Sequence, residues 1–426
     1  AGNLTKVGAG TLTLSGNNTY TGSTTINAGT VVVSHNNGLG STTGGTTVAS
    51  GATLDLNGVT VGAEAVTLSG GTLKDTTSSL AGNITLTADS YLGADAGNTL
   101  TLSGVISGSY AITKVGAGTV ILSGANTYTG VTNINEGTLK LGSAGSGSNS
   151  PLGTIAAGTT VASGATLDLN GYTLSTAEPL TINGTGSSSA GALANSSSTA
   201  VTYAGAISLA NDATIKTVGA LTLSGAISGA YALTVTNSGD VTFSADIGSS
   251  SSRLASLSIS GNANLYGNVW TTGAQTYSGN LGIGNDISLN SSNDGVSIGG
   301  SMTGISGSNI LLYEVTQPTR TSGAIVYSVN NSASFSGSIS RITYRMEVTY
   351  GGTPYWVEVS FDAWANNLTA ANLKIPDLVN NLTIQKIVNN MVVRSNQTSG
   401  IAGKASAVIT GSGFTGYLEL WPWDYG

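Results

Sequence analysis

The stretch "KVGAGTLTLSGNNTYTGSTTINAG", residues 6–29, returns almost unchanged at 114–137 as "KVGAGTVILSGANTYTGVTNINEG". A second match, "TVASGATLDLNG", stands at 47–58 and again at 160–171. The two offsets are 108 and 113, which places an insertion of five residues between the matches, in the loop "GSAGSGSNSPLG" at 142–153. Within these copies a smaller unit recurs: Gly, Ala or Asn, then Thr, then Leu or Val. Its threonines are Thr11, Thr30, Thr53, Thr72, Thr99, Thr119, Thr138 and Thr166, spaced by 19, 23, 19, 27, 20, 19 and 28 residues. A period near 20 residues with variable loops predicts a solenoid of two or three short strands per coil. One coil cannot bury its apolar side alone. Stacking buries it, with strands of successive coils pairing in parallel.

Comparison of the copies fixes which way side chains point. Lys140 lies between Leu139 and Leu141, so the leucines face in and the lysine out. The matching "GTVVVS" then puts Val31 and Val33 inside and Val32 outside, and Leu54 and Leu56 inside with Asp55 outside. Asn57-Gly58 and Asn170-Gly171 read as turns, because both residue types accept positive φ at low cost. A fainter echo, "LTLSGVISGSYAIT" at 100–113, returns at 221–234, and strand-and-turn texture continues to about residue 300. Roughly 14 coils at about 4.8 Å each predict a rod on the order of 65 Å long.

Only 8% of residues are charged, while 39% are hydrophobic and 62 are glycine, a balance that favours strands and turns over disorder. A net charge of −7 without a basic cluster argues against nucleic acid and against an anionic membrane surface. No apolar run approaches the roughly 20 residues of a membrane-spanning helix. The chain has no cysteine, which removes disulfides and thiolate metal sites and suits an exported bacterial protein.

The stretches Gly8 to Val33 and Gly116 to Leu141 resemble the passenger-associated transport repeat of bacterial autotransporters. They share its pattern G-x-G-x-L-x-L-x-G-x-N-x-Y-x-G, a short link, then a Gly-Thr-hydrophobic strand. The resemblance covers roughly residues 1–240. It implies a right-handed parallel β-helix exposed on a bacterial surface, as in an adhesin. No autotransporter-type C-terminal barrel is read from these residues, and the chain reads as a portion of something longer.

Composition changes near residue 305: residues 301–426 hold seven of the 13 Lys and Arg, four of the five Trp and four of the six Pro. "RITYRMEVTY" and "YWVEVSF" alternate strictly around "GGTP" and predict an antiparallel hairpin, with further strands at 382–394, 405–410 and 416–421. The expected fold is therefore all-β. A parallel β-helix over residues 1–304 is expected to precede a small antiparallel, jelly-roll-like β-sandwich over 305–426, incomplete at its C-terminus.

Candidate chemistry is sparse. His35, the sole histidine, lies in the loop "SHNNGLGS" without a nearby acid and reads as a solvated loop residue rather than a triad member. Asp55 and Asp168 occupy matching outward positions, but about five coils, or roughly 24 Å, separate them, too far for a glycosidase pair. Asp89 with Asp95, and Asp286 with Asp294, read as turn aspartates. "LGIGNDISL" at 281–289 departs from the calcium-roll repeat and occurs once. Thr11 and Thr13 open a possible ice-binding row, but their counterparts are Thr119 and Ile121. Trp421, Trp423 and Tyr425 are candidates for stacking on sugar rings, set against an ordinary place in a core.

These readings predict no catalytic residue, no cofactor and no metal. They predict a non-enzymatic extracellular rod that acts as a structural or adhesive element. Its partners are other copies of itself stacked head to tail, other surface proteins, or glycans. The rival reading is a polysaccharide-active enzyme or carbohydrate-binding module on the same scaffold.

Overall fold

A computed structural model describes residues 2–284, 287–292 and 295–304 and, beyond these, strands at 310–314, 334–337, 341–350, 353–362, 368–369, 405–411 and 414–421. The chain divides into two compact units, Ala1–Gly225 and Ala226–Gly426. The described elements are strands, apart from one short 3-10 turn at Ser187–Ser189.

In the first unit each full coil contributes a strand to each of three parallel ladders. The first face runs Leu4–Lys6, Thr24–Ile26, Thr46–Ala49, Val66–Ser69, Ile84–Ala88 and Ile106–Gly108. The second face begins Thr11–Leu14, Thr30–Val33, Thr53–Asn57, Thr72–Thr76, Ser90–Ala94 and Ile112–Val115. It continues through Thr132–Ile134, Thr159–Val161 and Leu180–Gly184. The third face starts at Thr60–Val61 and passes through Ser78–Leu80, Thr99–Leu102, Thr119–Leu122, Gly137–Leu141, Ala165–Asp168 and Leu193–Asn195. One long strand, Ile207–Thr217, then pairs with the last members of both the second and third faces.

This topology shows how the two long copies are related. In the first copy, Leu4–Lys6 belongs to the first face; its counterpart Ile112–Val115 belongs to the second. Five rungs of the first face lead from Leu4–Lys6 to Ile106–Gly108, and Ile112–Val115 is the next strand in the chain. The 108-residue offset therefore spans five and one-third turns, and the second copy is rotated by one face. The cause is local. In the first copy the arc around Asn18 and Tyr20 takes the place on the third face that Thr60–Val61 later fills. In the second, the arc around Asn126 and Tyr128 lies on the first face, with Thr127 N donating to Ile106 O at 2.8 Å.

The alternation expected from the sequence holds. Val31, Val33, Leu54, Leu56, Leu139 and Leu141 are fully buried, while Val32, Asp55 and Lys140 point outward and are half-buried. At the corners, Asn and Asp carbonyl oxygens accept backbone N–H groups of the following coil. Val105 N donates to Asn83 Oδ1 at 3.0 Å and Ala111 N to Asp89 Oδ1 at 2.8 Å. The turn at Asn170-Gly171 forms as expected, with φ of 51° and 82°.

The second unit repeats the principle. One ladder runs Ala232–Asn237, Ser256–Ile259, Gln275–Tyr277, Val296–Ile298. A second runs Val241–Phe243, Ala263–Leu265, Leu281–Ile283, Met302–Gly304, Ser334–Gly337. A third runs Val269–Thr271, Ile287–Ser291, Ile310–Glu314, Arg341–Tyr350. Its corners use the same device: Asn280 N donates to Asn262 Oδ1 and Ser301 N to Asn280 Oδ1, each at 3.0 Å. Arg341–Tyr350 then pairs antiparallel with Thr353–Asp362, the hairpin read from the sequence. Phe414–Trp421 and Ala405–Gly411 follow in the same antiparallel sheet. The strand expected at 382–394 lies outside the described residues. The composition change near residue 305 falls inside this unit.

Gly153 (φ +89°) closes over the buried Tyr128, where an added Cβ would stand 2.7 Å from Tyr128 O and 2.8 Å from its ring. Gly147 (φ +63°) has nothing within 4 Å. Gly153→Ala is expected to lower unfolding free energy by about 2–4 kcal/mol, combining left-handed strain with overpacking, and Gly147→Ala by about 1–2 kcal/mol from strain alone. Urea titration of the two variants measures the difference.

Candidate functional site

The outward positions of the first unit form columns of hydroxyl groups. On the first face Thr5, Thr25, Thr47, Thr67, Thr85 and Ser107 are successive register partners. The second face carries Thr11, Thr30, Thr53, Thr72 and then Tyr91, whose side chain is exposed. The third carries Thr99, Thr119, Thr138 and Thr166. The row opened by Thr11 and Thr13 therefore does not pass through Thr119 and Ile121. The rotation by one face puts those residues on a different ladder, and the unbroken threonine column lies on the first face instead.

Charged groups on the outside are few, and two ion pairs form among the described residues. Lys74 Nζ meets Asp95 Oδ2 at 2.8 Å, beside Asp55. Asp55 and Asp168 do not occupy matching outward positions, because Asp55 sits on the second face and Asp168 on the third. Asp168 is also buried. Its Oδ2 accepts from Lys140 Nζ at 3.1 Å and Ser196 Oγ at 2.6 Å, and its Oδ1 from Asn170 N and Ser196 N. These contacts fasten a loop to the third face and leave no carboxylate oxygen for a substrate. Asp89 Oδ1 accepts from Ala111 N at 2.8 Å, and Asp95 Oδ2 pairs with Lys74 Nζ. His35 stays in its loop, its Nδ1 accepting from Asn37 N at 3.1 Å.

Several sequence candidates fall at the edge of the description or beyond it. Asp286 and Asp294 lie outside the described residues, as do Trp423 and Tyr425. Trp421 ends the strand Phe414–Trp421, opposite Trp356. Among the described residues, no group of three or more His, Asp or Glu side chains gathers where a metal could be held, and no helix is long and apolar enough to cross a membrane.

The interior holds polar residues that the alternation rule alone does not explain. Lys6 and Lys114 occupy inward positions. Lys114 Nζ donates to Val115 O (3.0 Å), Gly116 O (2.6 Å) and Glu136 O (3.1 Å). Lys6 Nζ makes the matching set to Val7 O, Gly8 O and Ala28 O. Burial pulls the Lys114 amine down to about 8, opposed by the Glu136 carboxylate. Asp75 stands between Leu56 and Ala94 in an inward column and accepts from Ser78 N at 2.7 Å; burial pushes its carboxyl up to about 6. Arg253, in the second unit, lies 5.1 Å over the Trp270 ring and donates to Asn290 Oδ1 at 2.6 Å. The parity of each strand marks these inward positions, but their charge suggests the opposite face.

A family model described as the passenger-associated transport repeat matches residues 4–33 and 112–141. The chain carries passenger-associated transport repeats. The match covers the rotated pair of copies described above. Over 137 residues the chain is 40% identical to the adhesin BmaC autotransporter of Brucella suis biovar 1 (strain 1330), a stretch equal to 30% of this chain and 4% of that protein. The chain thus spans a small fraction of that relative's length. No solved structure matches it.

The structure gives the Lys, Asn and Tyr of the transport repeat distinct roles. In the second copy the Asn of its N-x-Y is buried Asn126, whose Oδ1 accepts from Ile106 N (2.7 Å) and whose Nδ2 donates to Pro151 O (2.6 Å). Its Tyr is buried Tyr128, hydrogen-bonded to Thr132 Oγ1 at 2.6 Å. Its Lys is the caged ammonium. The buried Lys, Asn and Tyr of the repeat thus join coils through polar groups. Lys114→Ala, which strips three carbonyls of their donor and opens a cavity, is expected to cost about 2–5 kcal/mol. Lys74→Ala, at an exposed ion pair, is expected to cost less than about 1 kcal/mol. Chemical denaturation of both variants tests the ranking.

Proposed function

We propose that this chain is part of an extracellular bacterial surface protein whose role is adhesive and structural rather than enzymatic. The observation that carries the reading is the pair of transport repeats, supported by the stretch shared with a protein named as an autotransporter adhesin. The stacked coils supply a stiff support, and the outward faces supply wide columns of uncharged hydroxyls. Both carboxylate oxygens of Asp168 are held in structural bonds, which supports a structural rather than a catalytic role for that residue. Contact with other surface proteins or with glycans belongs to the same proposal, with Trp421, Trp423 and Tyr425 as the aromatic contacts for sugar rings.

Stacking between copies is a finer part of the proposal. In the first coil Leu12 and Leu14 are half-exposed, whereas their counterparts Val120 and Leu122 are fully covered by the coil before them. A second copy stacked in parallel register on the coil that holds Leu12 and Leu14 would provide a head-to-tail joint.

Beads coated with the folded chain are expected to bind host-cell monolayers well above beads coated with the heat-denatured chain. Equal binding by the two overturns the adhesive reading. Hydrolytic or eliminative turnover of a polysaccharide, lost on changing one acidic pair, establishes the rival. Sedimentation at rising concentration tests stacking: growing head-to-tail species are expected in the wild type and are reduced in Leu12→Lys/Leu14→Lys, whereas a monomer at all concentrations removes self-association.

A further inference from the structure

Two glutamates of the first unit are built into the interior in the same way. Glu64 is 2% exposed and Glu178 is 0% exposed. They lie six and seven residues beyond the copies at 47–58 and 160–171 and precede strands on different faces: Val66–Ser69 on the first and Leu180–Gly184 on the second. Each accepts one hydrogen bond on Oε1 from an inward threonine, Thr46 Oγ1 at 2.7 Å and Thr159 Oγ1 at 3.0 Å. In each the second oxygen, Oε2, is buried without a hydrogen-bond partner.

The surroundings match as well. Thr46 is the register partner of Thr24, which bonds Tyr20 OH at 2.7 Å; Thr159 is the register partner of Thr132, which bonds Tyr128 OH at 2.6 Å. Tyr203 OH adds a bond to Glu178 O at 2.7 Å. The next coil closes over both residues through a glycine: a Cβ on Gly82 would stand 1.7 Å from Glu64 O, and one on Gly205 1.7 Å from Glu178 O. Titratable groups facing these carboxyls are Tyr20 at Glu64, and Tyr128 and Tyr203 at Glu178, all held above the ordinary tyrosine range chiefly by burial. No lysine or arginine among the described residues bears on either carboxyl.

A buried carboxylate with one hydroxyl donor, one bare oxygen and no cation is a costly species, and its protonated form is not. We propose that the two Tyr–Thr–Glu corners act as proton-dependent latches between coils, closed when Glu64 and Glu178 are neutral and loosened when they ionise. Burial raises both carboxyls, that of Glu178 from 4.5 to about 7, with the threonine bond opposing. The native state then binds more protons than the unfolded state across that window. The stability these two carboxyls contribute is fully present below about pH 4.5 and is lost as the pH climbs through about 7. Asp75, pushed up to about 6, contributes in the same direction from a separate position.

The test compares the wild-type chain with Glu64→Gln/Glu178→Gln by urea unfolding and amide hydrogen exchange between pH 4 and 9. For the wild type, the unfolding equilibrium constant is expected to rise on the order of 100-fold across the window from Glu178 alone, with protection factors, corrected for intrinsic exchange, falling at the amides of 64–66, 82–84, 178, 180 and 205–207. The double variant is expected to lose that rise and to keep the shallower dependence due to Asp55 and Asp75, with Lys114 acting in the opposite direction near pH 8. An identical pH slope in both proteins overturns the proposal. Should the variant not fold, carbon-13 titration of the wild-type glutamate carboxyls decides: midpoints well above 4.5 for Glu64 and Glu178 support the latches, and midpoints near 4.5 overturn them.

Discussion

Parallel pairing between coils is the constraint on which the rest of this structure depends. A strand of three to five residues has too little surface to fold alone, and each coil holds only two or three of them. Pairing in register aligns inward positions into columns such as Leu12, Val31, Leu54, Leu73 and Leu92, so that every coil uses its neighbours as core. Register is strongly enforced, since a slip of one residue would turn a whole column outward. The low charge and high glycine content follow from this arrangement: corners must turn sharply several times per coil, and outward columns place like side chains about 4.8 Å apart, where repeated charges would repel.

Polar residues appear inside where the column needs something other than apolar packing. Corners leave backbone carbonyls and N–H groups without ladder partners. Lys6 and Lys114 satisfy three carbonyls each, Asn126 serves a backbone donor and a backbone acceptor on different coils, and Asp75 takes the Ser78 N–H. The recurring Lys, Asn and Tyr of the transport repeat are thus parts of the joint between coils. The repeat can be kept in a surface protein without dictating what that protein binds.

The sequence makes much of this legible. Comparing Lys140 with Val32 is enough to orient the valine run, and the 20-residue period predicts stacking. What it hides is how many strands each coil commits to a face. The third face begins with the two-residue strand Thr60–Val61, which replaces an arc found in the first coils. That small change advances the later copy by one face, so residues that match in sequence, such as Asp55 and Asp168, do not match in space. Lys114 shows the opposite failure. Its parity with Ile112 marks it as inward, yet its charge argues for solvent, and only the three carbonyls around it resolve the conflict.

The rotation by one face is the most specific consequence of this account, and the chain's lack of cysteine makes it directly measurable. Cysteines introduced at Tyr91 and Thr113, register partners on the second face, are expected to be joined rapidly by a short bis-thiol reagent, while cysteines at Thr85 and Thr113 are not. Efficient linkage of Thr85 to Thr113, with Tyr91 unreactive toward Thr113, would put both copies on one face and contradict the arrangement described here.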